Sequence, residues 1–168
     1  MGRFFGTDGV RGVANRDLTP ELVFQLGRAA AHVLLKGNGR MLVGRDTRLS
    51  GTMLEAALVA GITATGVDVE LLGVIPTPAV AYLTGQGEKT AGAMISASHN
   101  PIADNGIKFF DCEGYKLSDE TEAEIEACLE EEAAAQIPRP DGTGVGRVFA
   151  VSRAEDEYLD FLSRTVKE

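Results

Sequence analysis

The stretch Met41-Leu-Val-Gly-Arg-Asp-Thr-Arg-Leu-Ser50, continuing Gly-Thr-Met-Leu-Glu-Ala-Ala-Leu-Val-Ala-Gly-Ile62, reads as a strand passing through a polar turn into a helix. Met41 to Val43 is a short apolar run, and Ser50 stands where an N-cap would, ahead of Met53, Leu54, Ala57, Leu58 and Ile62 at helical spacing. The same order recurs on either side. Thr19 and Pro20 read as N-cap and first residue of an amphipathic helix carrying Leu22, Leu26, Ala29, Ala30, Val33 and Leu34 and ending near Gly37. Val67 to Leu72 reads as a strand, Pro76 to Gly85 as a turn and short helix, Ala91 to Ile95 as a buried strand and Ile107 to Phe110 as another. Ser118 is positioned to cap an acidic helix, and Ser152 with Glu155 reads as a capping box before a final helix through Tyr158, Leu159, Phe161 and Leu162. Gln136 to Arg147, rich in Pro and Gly, reads as a loop or linker, with a strand at Arg147 to Val151. Strands alternating with helices predict an α/β fold: a three-layer α/β/α sandwich with a mixed or mostly parallel sheet and helices on both faces.

The chain has 168 residues, 44% hydrophobic and 24% charged, which fits one globular domain and excludes a wholly disordered chain. No apolar run approaches the ~18 residues a spanning helix requires, and Met1 to Gly12 is too polar for a secretory signal, so a cytoplasmic location is expected. A net charge of -9 argues against nucleic acid and against an acidic membrane as partner. Asp119 to Glu132 holds eight carboxylates and no base, so the rest of the chain is nearly neutral, and the acidic run reads as a solvated face. Cys112 and Cys128, with no CxxC and no His cluster nearby, read as two reduced thiols.

Three polar, glycine-bearing stretches stand out: Phe5 to Gly12, Gly44 to Ser50, and Ser96 to Lys108. The third follows the buried strand, where ligand clefts of α/β sheets open. Ser98 beside His99 invites a hydrolase reading, but sequence neighbours seldom face each other, and the flanking residues lack the glycines of a nucleophile elbow. Ser98 and Asn100 could equally shape a turn ahead of Pro101. The loop cations Arg11, Arg45, Arg48 and Lys108 in an acidic chain favour a phosphate ligand instead, since guanidinium forks match phosphate oxygens. No GxxxxGK[ST] motif is present, so nucleotide cradling has little support.

Phe5-Gly-Thr-Asp-Gly-Val-Arg-Gly12, Gly44-Arg-Asp-Thr-Arg48, and Ile95-Ser-Ala-Ser-His-Asn-Pro101 followed by Asp104-Asn-Gly-Ile-Lys108 resemble, in order and spacing, the α-D-phosphohexomutase family. Within it the resemblance is to bacterial members acting on an amino sugar. It implies interconversion of glucosamine 6-phosphate and glucosamine 1-phosphate through a phosphoserine and glucosamine 1,6-bisphosphate, with Mg2+ as cofactor. Ser98 would be the phosphoserine and would touch the metal through its phosphate. His99, Lys108 and Arg11 would be its catalytic neighbours, and Asn100, Arg45 and Arg48 further phosphate-binding or loop-shaping positions.

The aspartate-rich metal loop and the later sugar and phosphate loops of the family are absent from this sequence. The expectation is therefore a first domain over residues 1–150 and a helix over 151–168 leading toward a second. Such a fragment would be inactive alone, with a hexosamine phosphate and the remaining domains as partners. Self-association through the exposed interdomain surface is a further expectation. Two alternatives stay open: a non-catalytic sugar-phosphate or anion-binding module, and a phosphohexomutase of other sugar specificity.

Overall fold

The computed structural model describes residues 4–166; residues 1–3 and 167–168, the outer ends of the two expected units, lie outside the described residues. Thr19 caps α1 (Pro20–Leu35), its hydroxyl accepting the Leu22 amide at 3.3 Å, and Lys36 in the left-handed region closes it by donating its amide to His32. A hairpin, β1 (Phe5–Gly6) and β2 (Gly9–Val13), precedes it. Then follow β3 (Arg40–Arg45), α2 (Gly51–Thr63), β4 (Asp68–Val74), α3 (Thr77–Thr84), β5 (Thr90–Ile95) and β6 (Asp104–Phe110). The chain continues through α4 (Asp119–Ala127), α5 (Glu131–Gln136), a 3₁₀ turn at Gly142–Gly144, β7 (Val148–Ala150) and α6 (Ala154–Thr165).

The strands form one sheet in the order β1-β2-β6-β5-β3-β4-β7. Pairs β5-β3, β3-β4 and β4-β7 are parallel, while β1-β2, β2-β6 and β6-β5 are antiparallel, so the sheet is mixed. Residues alternate between its faces. On one face Met41, Val43, Ala93, Ile95, Ile107 and Phe109 pack beneath α1, α2 and α4. On the other, Leu42, Met94 and Phe110 meet α3 and the start of α6. The result is the expected α/β/α sandwich.

Four local expectations are corrected. Ser50 does not cap α2: it adopts helical angles, and its hydroxyl accepts from the buried Asn105 amide instead. The Ser152/Glu155 capping box does not form, because α6 begins after Arg153 with no side-chain cap. The acidic helix is two helices, α4 and α5; carboxylates at the C-terminal end of a single helix would oppose its dipole. Its acids are also not all solvated: Glu122 is buried and pairs with Lys116 at 2.7 Å, and Glu126 accepts the Phe4 and Phe5 amides. The stretch to Arg147 is a loop as expected, apart from Gln136, which ends α5, and it is docked, with the Gly146 amide on the Thr63 carbonyl and the Arg147 amide on Asp68. Both cysteines are free thiols, as their spacing suggested.

The crossing of α1 and α2 rests on two glycines that let the backbones touch. A Cβ on Gly27 would lie 2.5 Å from the Leu58 carbonyl oxygen, and one on Gly61 would collide with the Phe24 carbonyl oxygen. Helix propensity alone would make Gly61→Ala stabilising by about 1 kcal/mol. The obstacle is backbone on a neighbouring helix, so overpacking prevails and a net loss of about 2 kcal/mol is expected, read as a lower urea midpoint at unchanged slope. An unchanged or higher midpoint would show that the helices can separate at little cost.

Candidate active site at the Ser98 loop

The period of two along the strands decides which cations share a face. Arg11 on β2 pairs with Gly106 on β6, and Lys108 lies two residues further along β6, so both emerge on the α3 side of the sheet. Gly106 is needed there, because a Cβ would sit 2.9 Å from Cγ of Arg11 and 2.9 Å from the Ser96 carbonyl oxygen. Arg45, by contrast, shares its face with Val43 and turns toward α2, where Nε meets Glu55 at 3.1 Å. Arg45 is not brought to the cluster.

Between β5 and β6 the carbonyls of Ser98 and Asn100 lie outside the ladder, and Arg48 supplies donors to them and to the loop's far end. Its Nη1 donates to the carbonyls of Pro101 (2.7 Å) and Asp104 (3.0 Å), its Nη2 to those of Ser98 and Asn100 (2.9 Å each), and its Nε to Asp46 at 3.1 Å. All five N–H groups of the fork are thereby spent inside the protein. Asp46 in turn accepts the Ser96 hydroxyl at 2.7 Å, and Ser96 Oγ accepts the Ser98 amide at 3.0 Å. Ser98 is held at φ 55, a left-handed conformation costly for a residue other than Gly, Asn or Asp. Strain and clamp together present its side chain to solvent.

That side chain opens into a cavity of about 290 Å³ lined by Asp8, Arg11, Thr77, Ser96, His99 and Lys108 as well as Ser98. Asp8 lies 3.6 Å from Arg11 and 3.6 Å from Lys108, beyond good hydrogen-bond distance, so it balances both cations without occupying them. Arg11 also donates to Asn100 Oδ1 at 3.3 Å, and Asn100 donates to Asp104 at 3.1 Å. Ser98 Oγ lies 3.3 Å from His99 Nδ1, so these neighbours do face each other, contrary to the expectation from adjacency. The left-handed backbone at Ser98 accompanies this approach. A phosphate on Ser98 would be a dianion among Arg11, Lys108 and His99.

Ser98, His99, Asn100, Arg11 and Lys108 are thus brought together, while Arg48 lies behind the loop. Asp8, Asp46, Ser96 and Thr77 complete the site and were not singled out in the sequence, although Asp8, Asp46 and Ser96 fall inside the quoted motifs. Among the described residues no group of three or more His, Cys, Asp or Glu could hold a metal ion. Ser98 offers one oxygen, whereas Mg2+ requires several hard ligands, so the described residues alone do not fit a resident Mg2+. No helix among the described residues is long and apolar enough to cross a membrane.

The family described as phosphoglucomutase/phosphomannomutase, alpha/beta/alpha domain I, matches residues 2–136. A phosphoglucosamine mutase of Pelotomaculum thermopropionicum is 63% identical over 167 residues, covering 98% of this chain and 37% of the relative. One from Bacillus cereus strain AH187 is 56% identical over 170 residues, covering 100% and 38%. The chain therefore spans between a third and two fifths of the length of these relatives. Among solved structures, a phosphoglucomutase/phosphomannomutase family protein of Burkholderia thailandensis superposes with TM-score 0.80 at 28% identity, over 98% of this chain and 36% of that one. The parafusin (phosphoglucomutase) of Paramecium, at 18% identity and TM-score 0.72 over 99% and 35%, shares the fold.

The clamp makes a measurable demand. Arg48→Lys keeps the charge but offers one ammonium in place of a planar fork, so several loop carbonyls lose their donor. A stability loss of about 1–3 kcal/mol is expected, with faster hydrogen exchange at the Ser98 and Asn100 amides. Exchange unchanged at those two amides would show that the loop is held by something else.

Proposed function

The chain belongs to the phosphoglucomutase/phosphomannomutase family, and from that membership we propose that it is the phosphoserine-bearing first domain of a phosphoglucosamine mutase. Residues 1–150 are that domain, and residues 151–168 the helix leading out of it. The single observation that supports this most is the convergence of an exposed Ser98 hydroxyl with Arg11, His99 and Lys108 at one cavity. The substrate is a hexosamine phosphate of the cytoplasm, glucosamine 6-phosphate or glucosamine 1-phosphate.

A free hydroxyl of the sugar attacks the phosphorus on Ser98, the Oγ–P bond breaks, and the hydroxyl's proton passes to a base. The sugar becomes glucosamine 1,6-bisphosphate, turns over, and returns its other phosphate to Ser98, regenerating the phosphoserine and the isomeric monophosphate. In phosphoryl transfer the protein positions and neutralises more than it bonds. Arg11 and Lys108 neutralise the moving phosphoryl group. His99 Nδ1, 3.3 Å from Ser98 Oγ, stands where a proton can meet the departing serine oxygen. Asn100 steadies Arg11, and Arg48 shapes the loop rather than touching ligand, since its donors are occupied. Arg45 supports the strand's junction with α2.

A Mg2+ ion is proposed to reach this chain only through an oxygen of the Ser98 phosphate, its other protein ligands lying in the enzyme's remaining domains. The chain alone is accordingly proposed to be inactive and to bind hexosamine phosphates weakly. In an enzyme containing the remaining domains, Ser98→Ala is expected to abolish interconversion of the two glucosamine phosphates followed by 31P NMR; turnover near the wild-type rate would overturn the role of Ser98. Lys108→Met is expected to lower kcat about 100-fold while shifting the unfolding midpoint little, because its charge acts on the transfer step. Equal kinetics would remove Lys108 from the site.

A further inference from the structure

Arg28 and His32, four residues apart, share one flank of the C-terminal half of α1, and Lys36 follows as its left-handed cap. Opposite that flank runs the docked 137–146 segment, which carries Arg139. Two adjoining cavities lie there with Arg139 and Pro140 as common walls. One, of about 410 Å³, is lined by Arg28, Phe24, Ala60 and Val145; the other, of about 1000 Å³, by His32, Lys36 and Cys128. Glu124 is the one carboxylate lining either. Four basic side chains therefore border this paired opening, Arg28 on the smaller cavity, His32 and Lys36 on the larger and Arg139 on both, in a chain whose net charge is -9. The opening lies near Gly37 and Gly66, which precede β3 and β4, at the opposite ends of the parallel strands from the Ser98 loop.

The walls are fitted together. Gly66 adopts φ 91, and a Cβ on it would come within 2.9 Å of the Gly144 carbonyl oxygen and 3.2 Å of Cγ of Pro140. Arg28 is 1% exposed; its Nη2 donates to the Ala134 and Ile137 carbonyls at 3.2 and 3.3 Å, while Nε has no partner. Burial and then the like charge of Arg139 lower its pKa. A desolvated guanidinium with an idle donor and a second cation for a neighbour lacks an anion.

We propose that this opening binds a small phosphomonoester. The exposed guanidinium fork of Arg139, with an ammonium and an imidazole beside it and the buried charge of Arg28 behind it, suits a doubly charged phosphate head. Phe24, Ala60 and Val145 offer a surface for a compact apolar body.

The test is an amide-resolved NMR titration of the 168-residue chain with phenyl phosphate, inorganic phosphate and benzoate at matched ionic strength. Phenyl phosphate is expected to shift the amides of residues 28–37 and 139–145 saturably, at least fivefold more tightly than either inorganic phosphate or benzoate. Arg139 is exposed, so Arg139→Ser should keep the fold and weaken binding at least tenfold, and Lys36→Asn, which tolerates the left-handed cap, should weaken it as well. Shifts confined to residues 96–108 would place the anion in the Ser98 cavity and overturn the proposal. So would affinity unchanged in Arg139→Ser, or benzoate or inorganic phosphate binding as tightly as phenyl phosphate.

Discussion

One guanidinium holds the candidate site together. The Ser98 loop leaves the ladder with β6 after Ser96, and the carbonyls of Ser98 and Asn100 would otherwise have to be met by water. Arg48 takes these two along with those of Pro101 and Asp104, and hands its last N–H to Asp46, which fixes Ser96 and through it the Ser98 amide. Without that chain of bonds Ser98 could relax out of its left-handed conformation and its hydroxyl would lose a fixed direction. Arginine can do this because its five donors lie in one plane and cannot be deprotonated near neutral pH.

A second constraint comes from the sheet. Alternation along β2 and β6 sends Arg11 and Lys108 to the same side, and the same alternation along β3 sends Arg45 to the other. Asp8, at the turn of the first hairpin, lies within reach of both cations and keeps them from repelling each other.

Much of this was legible in the residues. The helix starting at Pro20 announced itself through Thr19 and its apolar spacing, and the buried β5 through an unbroken apolar run. The functional loops could be found because polar residues directly after such a strand have no packing reason to be there. The hairpin at β1 and β2 was not legible as strands: its residues are short, glycine-rich and polar, and they become a sheet edge only through pairing with β6, a long-range contact that local propensity does not encode. Arg45 and Arg48 looked alike in the sequence, three residues apart, yet Arg45 ends β3 and ties it to α2, while Arg48 lies in the turn beyond the strand and clamps the loop. Ser50 carried the signature of a cap and was recruited instead by the buried Asn105, whose amide had the more pressing need for a partner. The Asp46 to Ser96 relay spans fifty residues and leaves no periodic trace.

The last helix bears on the site through aromatic rings. Phe161 stacks on Tyr82 with centroids 4.0 Å apart, and Tyr158 lies against the same ring at 6.1 Å, so α6 is fastened to α3. Helix α3 is eight residues long, a rigid rod of about 12 Å, and Thr77 at its start lines the cavity of Ser98. The aromatic stack therefore ties the position of α6, through that rod, to the rim of the cavity.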